Sequence, residues 1–198
     1  MRERISLPVE LVSDLLHAMN ITTYSLEGYE ADDLIGSLCH FAVKKDIPVR
    51  ICSKDKDFEQ LITENIVMYD IKKDLVHDTA SLFEKKGITP AQVIDTLALI
   101  GDASDNVPGC PDVGPKTAQQ WIEKYQTLDV LLENQADIKG KRGDSLRANI
   151  DQILLLSQIK PNSIMSKFSG NYEKYIIFTS FPKSYSFLQI GLIIKKLR

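Results

Sequence analysis

Hydrophobic positions recur along the chain with two different periods, and each period predicts one type of element. They return every three or four residues after Pro8 and again between Glu30 and Lys45, which predicts two helices with apolar faces. Short runs rich in β-branched residues predict four strands. These are Ile21–Ser25, Pro48–Cys52, Ile66–Tyr69 and an edge strand at Leu75–His77. The alternation of strand and helix is typical of a parallel sheet.

The second half of the chain shows only the helical period. Thr79 and Thr89 are predicted N-caps, and Gly87 and Gly101 are predicted helix ends. The predicted helices are Thr79–Lys86, Pro90–Ile100, Gln119–Tyr125, Leu128–Glu133 and Ser145–Gln158, with a short one earlier at Phe58–Ile62. We therefore predict an α/β layer at residues 1–78, a helical module at 79–160 and a basic tail at 161–198.

Composition narrows the class of protein. The chain is 43% hydrophobic and 26% charged, and it has no apolar run long enough to cross a bilayer, so we exclude disordered and membrane-spanning classes. The N-terminus lacks a signal peptide, and we expect a cytoplasmic protein. Cys39, Cys52 and Cys110 form neither a disulfide framework nor a zinc motif, and we interpret them and the three histidines as structural.

Charge is distributed unevenly along the chain. From Lys160 onward there are seven basic residues and one acid, so the net charge of −3 hides a strongly acidic body. Such a body repels nucleic acid unless its acids bind divalent cations.

Seven acids fall in three clusters, each at a predicted element terminus. The clusters are Glu30, Asp32 and Asp33; Asp55 and Asp57; and Asp102 and Asp105. Acids at a helix N-terminus or in a polar turn have an ordinary explanation in the helix dipole and in solvation. However, the first two clusters follow strands, and ligands of parallel sheets bind at the carboxyl ends of the strands.

The chemistry of these acids indicates a metal-dependent reaction. Carboxylate oxygens suit Mg²⁺ or Mn²⁺. A two-metal phosphodiester hydrolase requires a collection of carboxylates of this kind. We expect Asp55 and Asp57 to point to one side of an extended segment, and Asp102 and Asp105 to share a helical face.

A glycine-punctuated segment, Val107–Ala118, runs into the predicted helix that contains Trp121. Turns of this kind expose backbone N–H groups at a helix N-terminus, which can bind a phosphate. Gly114 lets the phosphate approach closely, and Lys116 adds a positive charge. A tight helix-helix connection is the alternative interpretation.

The sequence resembles the 5′-nuclease domain of bacterial DNA polymerase I and its flap endonuclease relatives. Four stretches carry the resemblance, in the family's order, across roughly residues 5 to 158. They are Gly28–Gly36 (GYEADDLIG), Ser53–Asp57 (SKDKD), Leu97–Gly109 (LALIGDASDNVPG) and Gly114–Ala118 (GPKTA). The resemblance implies an α/β fold: an incomplete PIN-like parallel sheet with helices, followed by an all-helical helix-hairpin-helix (helix-three-turn-helix) module.

The resemblance also assigns roles to residues. It implies one Mg²⁺ or Mn²⁺ ion at Glu30, Asp32 and Asp33 and a second at Asp55, Asp57, Asp102 and Asp105, with a K⁺ ion at the hairpin. The implied partner is DNA, as a branched or 5′-ended duplex gripped by its backbone. The DNA-binding candidates are Gly109, Gly114, Lys116, Thr117, Lys139, Lys141, Arg142 and Arg147. For the last four, a solvated surface explains the charges equally well.

Three departures from the family define competing hypotheses. Asp112 replaces a hairpin glycine, although Asp tolerates positive φ, and Lys54 replaces a glycine before the Asp-Lys-Asp run. The family's first Asp-bearing strands and its basic arch do not precede Arg4. The chain is therefore a 5′-3′ exonuclease, a truncated homologue that only binds DNA backbone, or a fragment that works beside a separate N-terminal chain or a polymerase. We expect the chain alone to bind a 5′-flap duplex without cutting it detectably.

Overall fold

The chain folds into two compact units. The structure, a computed structural model, describes residues 9–24, 29, 31–102, 107–157, 176–180 and 188–194. We call the first the sheet unit, which comprises the described residues within 1–54, 64–76 and 161–198. We call the second the helical unit, which comprises the described residues within 55–63 and 77–160.

The elements below are those of the described residues. The strands are β1 (Thr22–Tyr24), β2 (Val49–Cys52), β3 (Ile66–Asp70), β4 (Leu75–His77), β5 (Gly101–Asp102), β6 (Val107–Pro108), β7 (Ile176–Ser180) and β8 (Leu188–Ile194). The α-helices are α1 (Val9–Ala18), α2 (Ala31–Lys44), α3 (Thr79–Lys86), α4 (Val93–Ile100), α5 (Pro115–Tyr125), α6 (Leu128–Glu133), α7 (Lys141–Ala148) and α8 (Ile150–Ser157). Short 3₁₀ helices occur at Lys56–Leu61, Pro90–Gln92 and Gln135–Asp137.

The sheet unit is built on a six-stranded sheet with the order β1-β7-β8-β2-β3-β4. β2 is parallel to β3 on one side and to β8 on the other. β7 is antiparallel to both β1 and β8, so β1 runs in the same direction as β8, β2 and β3. The α/β class is therefore as predicted, and the sheet also contains the antiparallel strand β7, which the sequence analysis did not predict.

The tail contributes β7 and β8, which lie between β1 and β2. We predicted no strands for residues 161–198. Neighbouring strands lie about 4.8 Å apart, so β1 and β2 are separated by about 14 Å. The nearly continuous apolar run of β8, LQIGLII, is typical of a strand inside a parallel sheet.

The two helices of the sheet unit bury their apolar faces to different extents. In α1, Leu11 and Leu15 are more than half exposed while Leu16 is buried, and Met19, just after the helix, is also more than half exposed. The predicted single apolar stripe of α1 is therefore only partly covered. The inward face of α2 is formed by Ala31, Ile35, Gly36, Cys39 and Ala42.

The helical unit has its own core. α4 packs against α5 and α8, and α5 packs against α6. The side chains with no exposed surface are Leu99, Ala118, Ile122, Leu131, Leu146 and Ile153. The carboxylate of Asp95 on α4 accepts a hydrogen bond of 2.9 Å from the backbone N–H of Leu128, which fixes the start of α6.

Two predictions about the helical unit are wrong in detail. Thr79 is not the N-cap of α3, because the carboxylate of Asp78 accepts the N–H of Ser81 and the Ser81 hydroxyl accepts the N–H of Asp78. The single helix predicted from residues 145 to 158 is two helices. They are interrupted at Asn149, whose φ of −123° is not helical.

The three cysteines differ in exposure: Cys39 and Cys110 are buried, and Cys52 is partly buried. All three cysteines are free thiols. Burial raises the pKa of Cys39 to about 12, which keeps it protonated and unreactive. Within the described residues, no helix is long and apolar enough to span a bilayer.

Candidate metal and nucleic-acid site

The first acidic cluster lies at the start of α2 in the sheet unit. Asp32 and Asp33 occupy the first turn, as predicted, and both are partly buried. Burial and, in second place, the charge of Asp33 raise the pKa of Tyr29. Glu30 lies outside the described residues.

The second cluster lies at the start of the 3₁₀ helix in the helical unit. Asp55 is its N-cap, and its carboxylate accepts the backbone N–H of Asp57 at 3.2 Å. Asp57 is already inside the first turn. The extended segment predicted for this pair is therefore wrong, because the helix begins one residue after Asp55.

The described member of the third cluster, Asp102, lies next to the second cluster. Asp102 lies on the short strand β5, which pairs with β6, and not on a helix as predicted. Its carboxylate is 2.9 Å from the Nζ atom of Lys56, and its side chain is only 12% exposed. The Asp-Lys-Asp segment and Asp102 are thus brought together within the helical unit. Asp105 lies outside the described residues.

The candidate acidic residues have the type of side chain that binds divalent cations. All seven candidate ligands are carboxylates, which are the hard oxygen donors that Mg²⁺ and Mn²⁺ prefer. Five of the seven lie in the part of the chain that the structure describes. Within that part, no group of three or more His, Cys, Asp or Glu side chains is close enough to hold a metal ion. Asp32 and Asp33 belong to one compact unit, and Asp55, Asp57 and Asp102 belong to the other.

The glycine-punctuated segment forms a tight turn before α5. The backbone N–H of Val113 donates to the carbonyl of Cys110 at 3.1 Å, and Asp112 has a φ of 63°. Asp112 therefore adopts the left-handed conformation, consistent with the prediction that Asp tolerates a positive φ here. Its carboxylate lies 3.6 Å from the Nζ atom of Lys141, which offsets its negative charge.

The N-terminus of α5 offers a limited set of donors. Gly114 is the N-cap, and its carbonyl accepts the N–H groups of Thr117 and Ala118. Pro115 has no N–H group. The first turn therefore presents the N–H of Lys116 together with its exposed ammonium, whereas Thr117 is buried. A Cβ atom added at Gly114 meets nothing within 4 Å, so the space in front of this turn is open.

The remaining basic candidates differ in what they contact. The Arg147 guanidinium donates to the carbonyls of Gln135 and Ile138 and pairs with Asp144, so it supports the preceding loop. Lys139 and Arg142 are exposed.

Two lysines near the acids have contacts that the sequence analysis did not predict. Lys56 pairs with Asp102, as described above. Lys54 follows β2 and pairs with Asp70 at the end of β3, with Nζ and Oδ2 3.2 Å apart. Both lysines are sequence neighbours of Asp55, which was the one sign in the sequence that they could matter. Their partners could not be predicted, because Asp70 and Asp102 are far away in sequence.

Comparisons with known proteins identify the family to which the chain belongs. The family model described as "5′-3′ exonuclease, N-terminal resolvase-like domain" matches residues 1–87, and "5′-3′ exonuclease, C-terminal SAM fold" matches residues 88–168. The chain belongs to the 5′-3′ exonuclease family. The predicted resemblance and the α/β fold class are confirmed.

Relatives of this 5′-3′ exonuclease family member are bacterial. DNA polymerase I of Rhizobium leguminosarum is 42% identical over 146 residues, covering 73% of this chain and 14% of the relative. A 5′-3′ exonuclease of Buchnera aphidicola is 38% identical over 140 residues, covering 71% of this chain and 49% of the relative. The chain therefore spans about half of one relative and a small part of the other.

Two solved structures share the fold of this chain. The T5 5′-exonuclease with bound zinc has a TM-score of 0.68 and 21% identity, over 79% of this chain and 59% of that protein. The T5 D15 flap endonuclease, crystallised with DNA and metal ions, has a TM-score of 0.61 and 20% identity, over 67% and 49% of the two chains.

Proposed function

We propose that this family member is a 5′-3′ exonuclease that hydrolyses DNA at 5′ ends or 5′ flaps with divalent metal ions. The observation that carries the proposal is the consecutive match to both domains of the family over residues 1–168. The bacterial relatives support a role in DNA replication and repair, in the cytoplasm where their chromosome lies, with a polymerase as partner.

The carboxylates would hold the metal ions. We assign Asp55, Asp57, Asp102 and Asp105 to one Mg²⁺ or Mn²⁺ ion, and Glu30, Asp32 and Asp33 to another. Bound divalent ions supply an activated water and stabilise the leaving oxygen. The Lys56 ammonium lies 2.9 Å from the Asp102 carboxylate and would have to move away for Asp102 to bind a cation.

DNA would be held through its backbone by the helical unit. The open space before Gly114, the N–H of Lys116 and its exposed ammonium support a phosphate contact at the start of α5. Further candidates for backbone contacts with DNA are Gly109, Thr117, Lys139, Lys141, Arg142 and Arg147. We also propose that a K⁺ ion binds at the turn before α5. A phosphate contact at a helix N-terminus carries no sequence information, so we expect binding to be independent of sequence.

The test of DNA binding is the salt dependence of duplex affinity in the presence of EDTA. The logarithm of affinity should fall linearly with the logarithm of salt, by about 0.9 per phosphate contact. Lys116→Ala should reduce this slope by about one. Lys124→Ala, on the same helix but engaged with the Tyr125 hydroxyl at 2.9 Å, should leave it unchanged. Strong preference for one of several unrelated duplexes would contradict backbone recognition.

A second candidate is DNA binding without hydrolysis. The observation in its favour is the Lys56–Asp102 ion pair, because a lysine that stays on this carboxylate opposes a cation there. Metal-dependent cleavage of 5′-ended DNA distinguishes the two candidates.

A further inference from the structure

The helical unit contains a cavity of about 420 Å³, and Lys56 and Lys116 are the residues of its lining that already have a part in the proposed function. We call it the lysine cavity, because Lys56, Lys85, Lys86 and Lys116 line it together with apolar side chains of α4. The 3₁₀ helix at residues 56–61, the end of α3, α4 and the start of α5 form its walls. Its volume is within the range of about 300–1,000 Å³ that is usual for small-molecule sites.

The positive charge of the cavity is only partly compensated. Lys56 pairs with Asp102, and Lys86 pairs with Glu59. The Nζ atom of Lys85 lies 2.8 Å from Nδ1 of His77, which accepts a hydrogen bond as a neutral ring and supplies no negative charge.

Lys116 has no ion-pair partner among the described residues. With Lys85 it leaves two positive charges at one cavity. An anion with about two negative charges, such as a phosphate monoester, matches this excess.

The other wall of the cavity is apolar. Ile88 and Val93 are buried there, and Leu97 and Ile100 complete the surface. An inorganic anion would leave this wall in contact with water, whereas a ligand with a planar ring would cover it. The ligand therefore combines an anionic group with an apolar part.

A polar side chain borders the same wall. Gly87 has a φ of 64°, and a Cβ atom at this position would lie 2.1 Å from Nε2 of Gln119. The glycine thus leaves room for the Gln119 amide beside the apolar surface. An amide both donates and accepts, as recognition of a base edge requires.

We propose that the lysine cavity binds one nucleotide with a 5′-phosphate, with the phosphate between Lys85 and Lys116 and the base against Leu97 and Ile100. The proposal rests on the proposed function, because hydrolysis of a phosphodiester leaves a phosphate monoester on one product. The nucleotide is either a released mononucleotide or the 5′ end of a DNA strand.

Calorimetric titration of the full chain in EDTA tests the proposal with thymidine 5′-monophosphate, thymidine and inorganic phosphate. The monophosphate should bind at least about tenfold more tightly than either part alone, since each part makes only one set of contacts. Lys85→Gln with Lys116→Gln should weaken it by about tenfold or more, because charged hydrogen bonds are lost. Lys124→Gln is the matched control on α5 and should change nothing.

Leu97→Phe provides an independent arm, because it fills the cavity without changing any charge. It should abolish binding of the monophosphate and leave duplex binding intact, with the thermal unfolding midpoint checked to confirm folding. Displacement of the monophosphate by a 5′-phosphorylated oligonucleotide, but not by its 5′-hydroxyl form, would identify the strand end as the ligand. Lack of displacement by both would identify the released nucleotide.

Two results would overturn the proposal. One is equal affinity for inorganic phosphate and the monophosphate, unaffected by Leu97→Phe. The other is absence of monophosphate binding by a chain that still binds duplex. The second result would leave the proposed nuclease function unaffected. The proposal of a nucleotide site and the proposal of a nuclease function can therefore fail independently.

Discussion

Lys54 illustrates how a single side chain acquires a role from its neighbours in space. In the sequence it stands just before the Asp-Lys-Asp run, and no role was predicted for it. In the structure its ammonium pairs with Asp70, which is 6% exposed and also accepts the backbone N–H of Lys72. The pair joins the carboxyl ends of β2 and β3. Local sequence could not predict it, because the two residues meet only when these strands pair.

This pair makes the stability of the sheet unit depend on pH. Burial acts to raise the pKa of Asp70, but hydrogen bonds from Lys54 and the backbone outweigh it, so the pKa lies below the ordinary 3.8. The folded pKa is lower than the unfolded one, so the contribution to stability is present above 3.8 and is lost as pH falls through the folded value.

We expect the urea midpoint of the chain to fall over that pH range, and to fall less in Asp70→Asn. Glu64→Gln, an exposed carboxylate of the same unit, serves as the control and should follow the parent chain. A parallel pH profile for Asp70→Asn and the parent would exclude this role for Asp70.

At the scale of the elements, the segment before α5 contains two glycines, Gly109 and Gly114, that have different structural roles. A Cβ atom at Gly109 would lie 2.0 Å from the carbonyl oxygen of Ile100 and 2.5 Å from the nitrogen of Gly101, so this glycine permits β5 and β6 to pack closely. Gly114 faces open space. The sequence marks both as DNA-binding candidates, and only the backbone geometry distinguishes them.

Gly109→Ala should lower the free energy of unfolding by about 1–3 kcal/mol, because backbone must shift to admit the methyl group. Gly114→Ala should leave stability nearly unchanged, since its φ of −97° suits any residue, and should weaken duplex binding by obstructing the phosphate. Chemical denaturation and duplex titration of both variants measure these effects. Equal stability of Gly109→Ala and the parent chain would contradict the close packing.

Elements with a strong local pattern were predictable. β2 and β3 alternate buried and partly buried positions, and Gly87 ends α3 as expected from its left-handed conformation. β7 and β8 were not predicted, because their place in the sheet depends on pairing with β1 and β2. The helix break at Asn149 was missed for a similar reason, since the apolar pattern continues across it.

At the scale of the whole molecule, the acids divide between the two compact units. The sequence identified their chemical type and their positions at element ends, and the structure confirms that Asp32 and Asp33 begin α2. It could not predict that Lys56 contacts Asp102, because that contact joins the 3₁₀ helix to β5. The roles of these carboxylates in metal binding stay a proposal.

The most direct test of the proposed function is single-turnover cleavage of a 5′-flap duplex labelled at its 5′ end, measured with Mg²⁺ or Mn²⁺ and with EDTA. The sequence analysis expected binding without detectable cleavage, whereas the proposed function predicts metal-dependent release of labelled product. Asp57→Asn should lower this release at least about 100-fold, as expected for loss of one electrostatic group at a reacting centre. Asp129→Asn, an exposed acid on α6 outside the clusters, should cleave like the parent chain. No cleavage with either metal, or cleavage unaffected by Asp57→Asn, would contradict the assignment and favour DNA binding without hydrolysis.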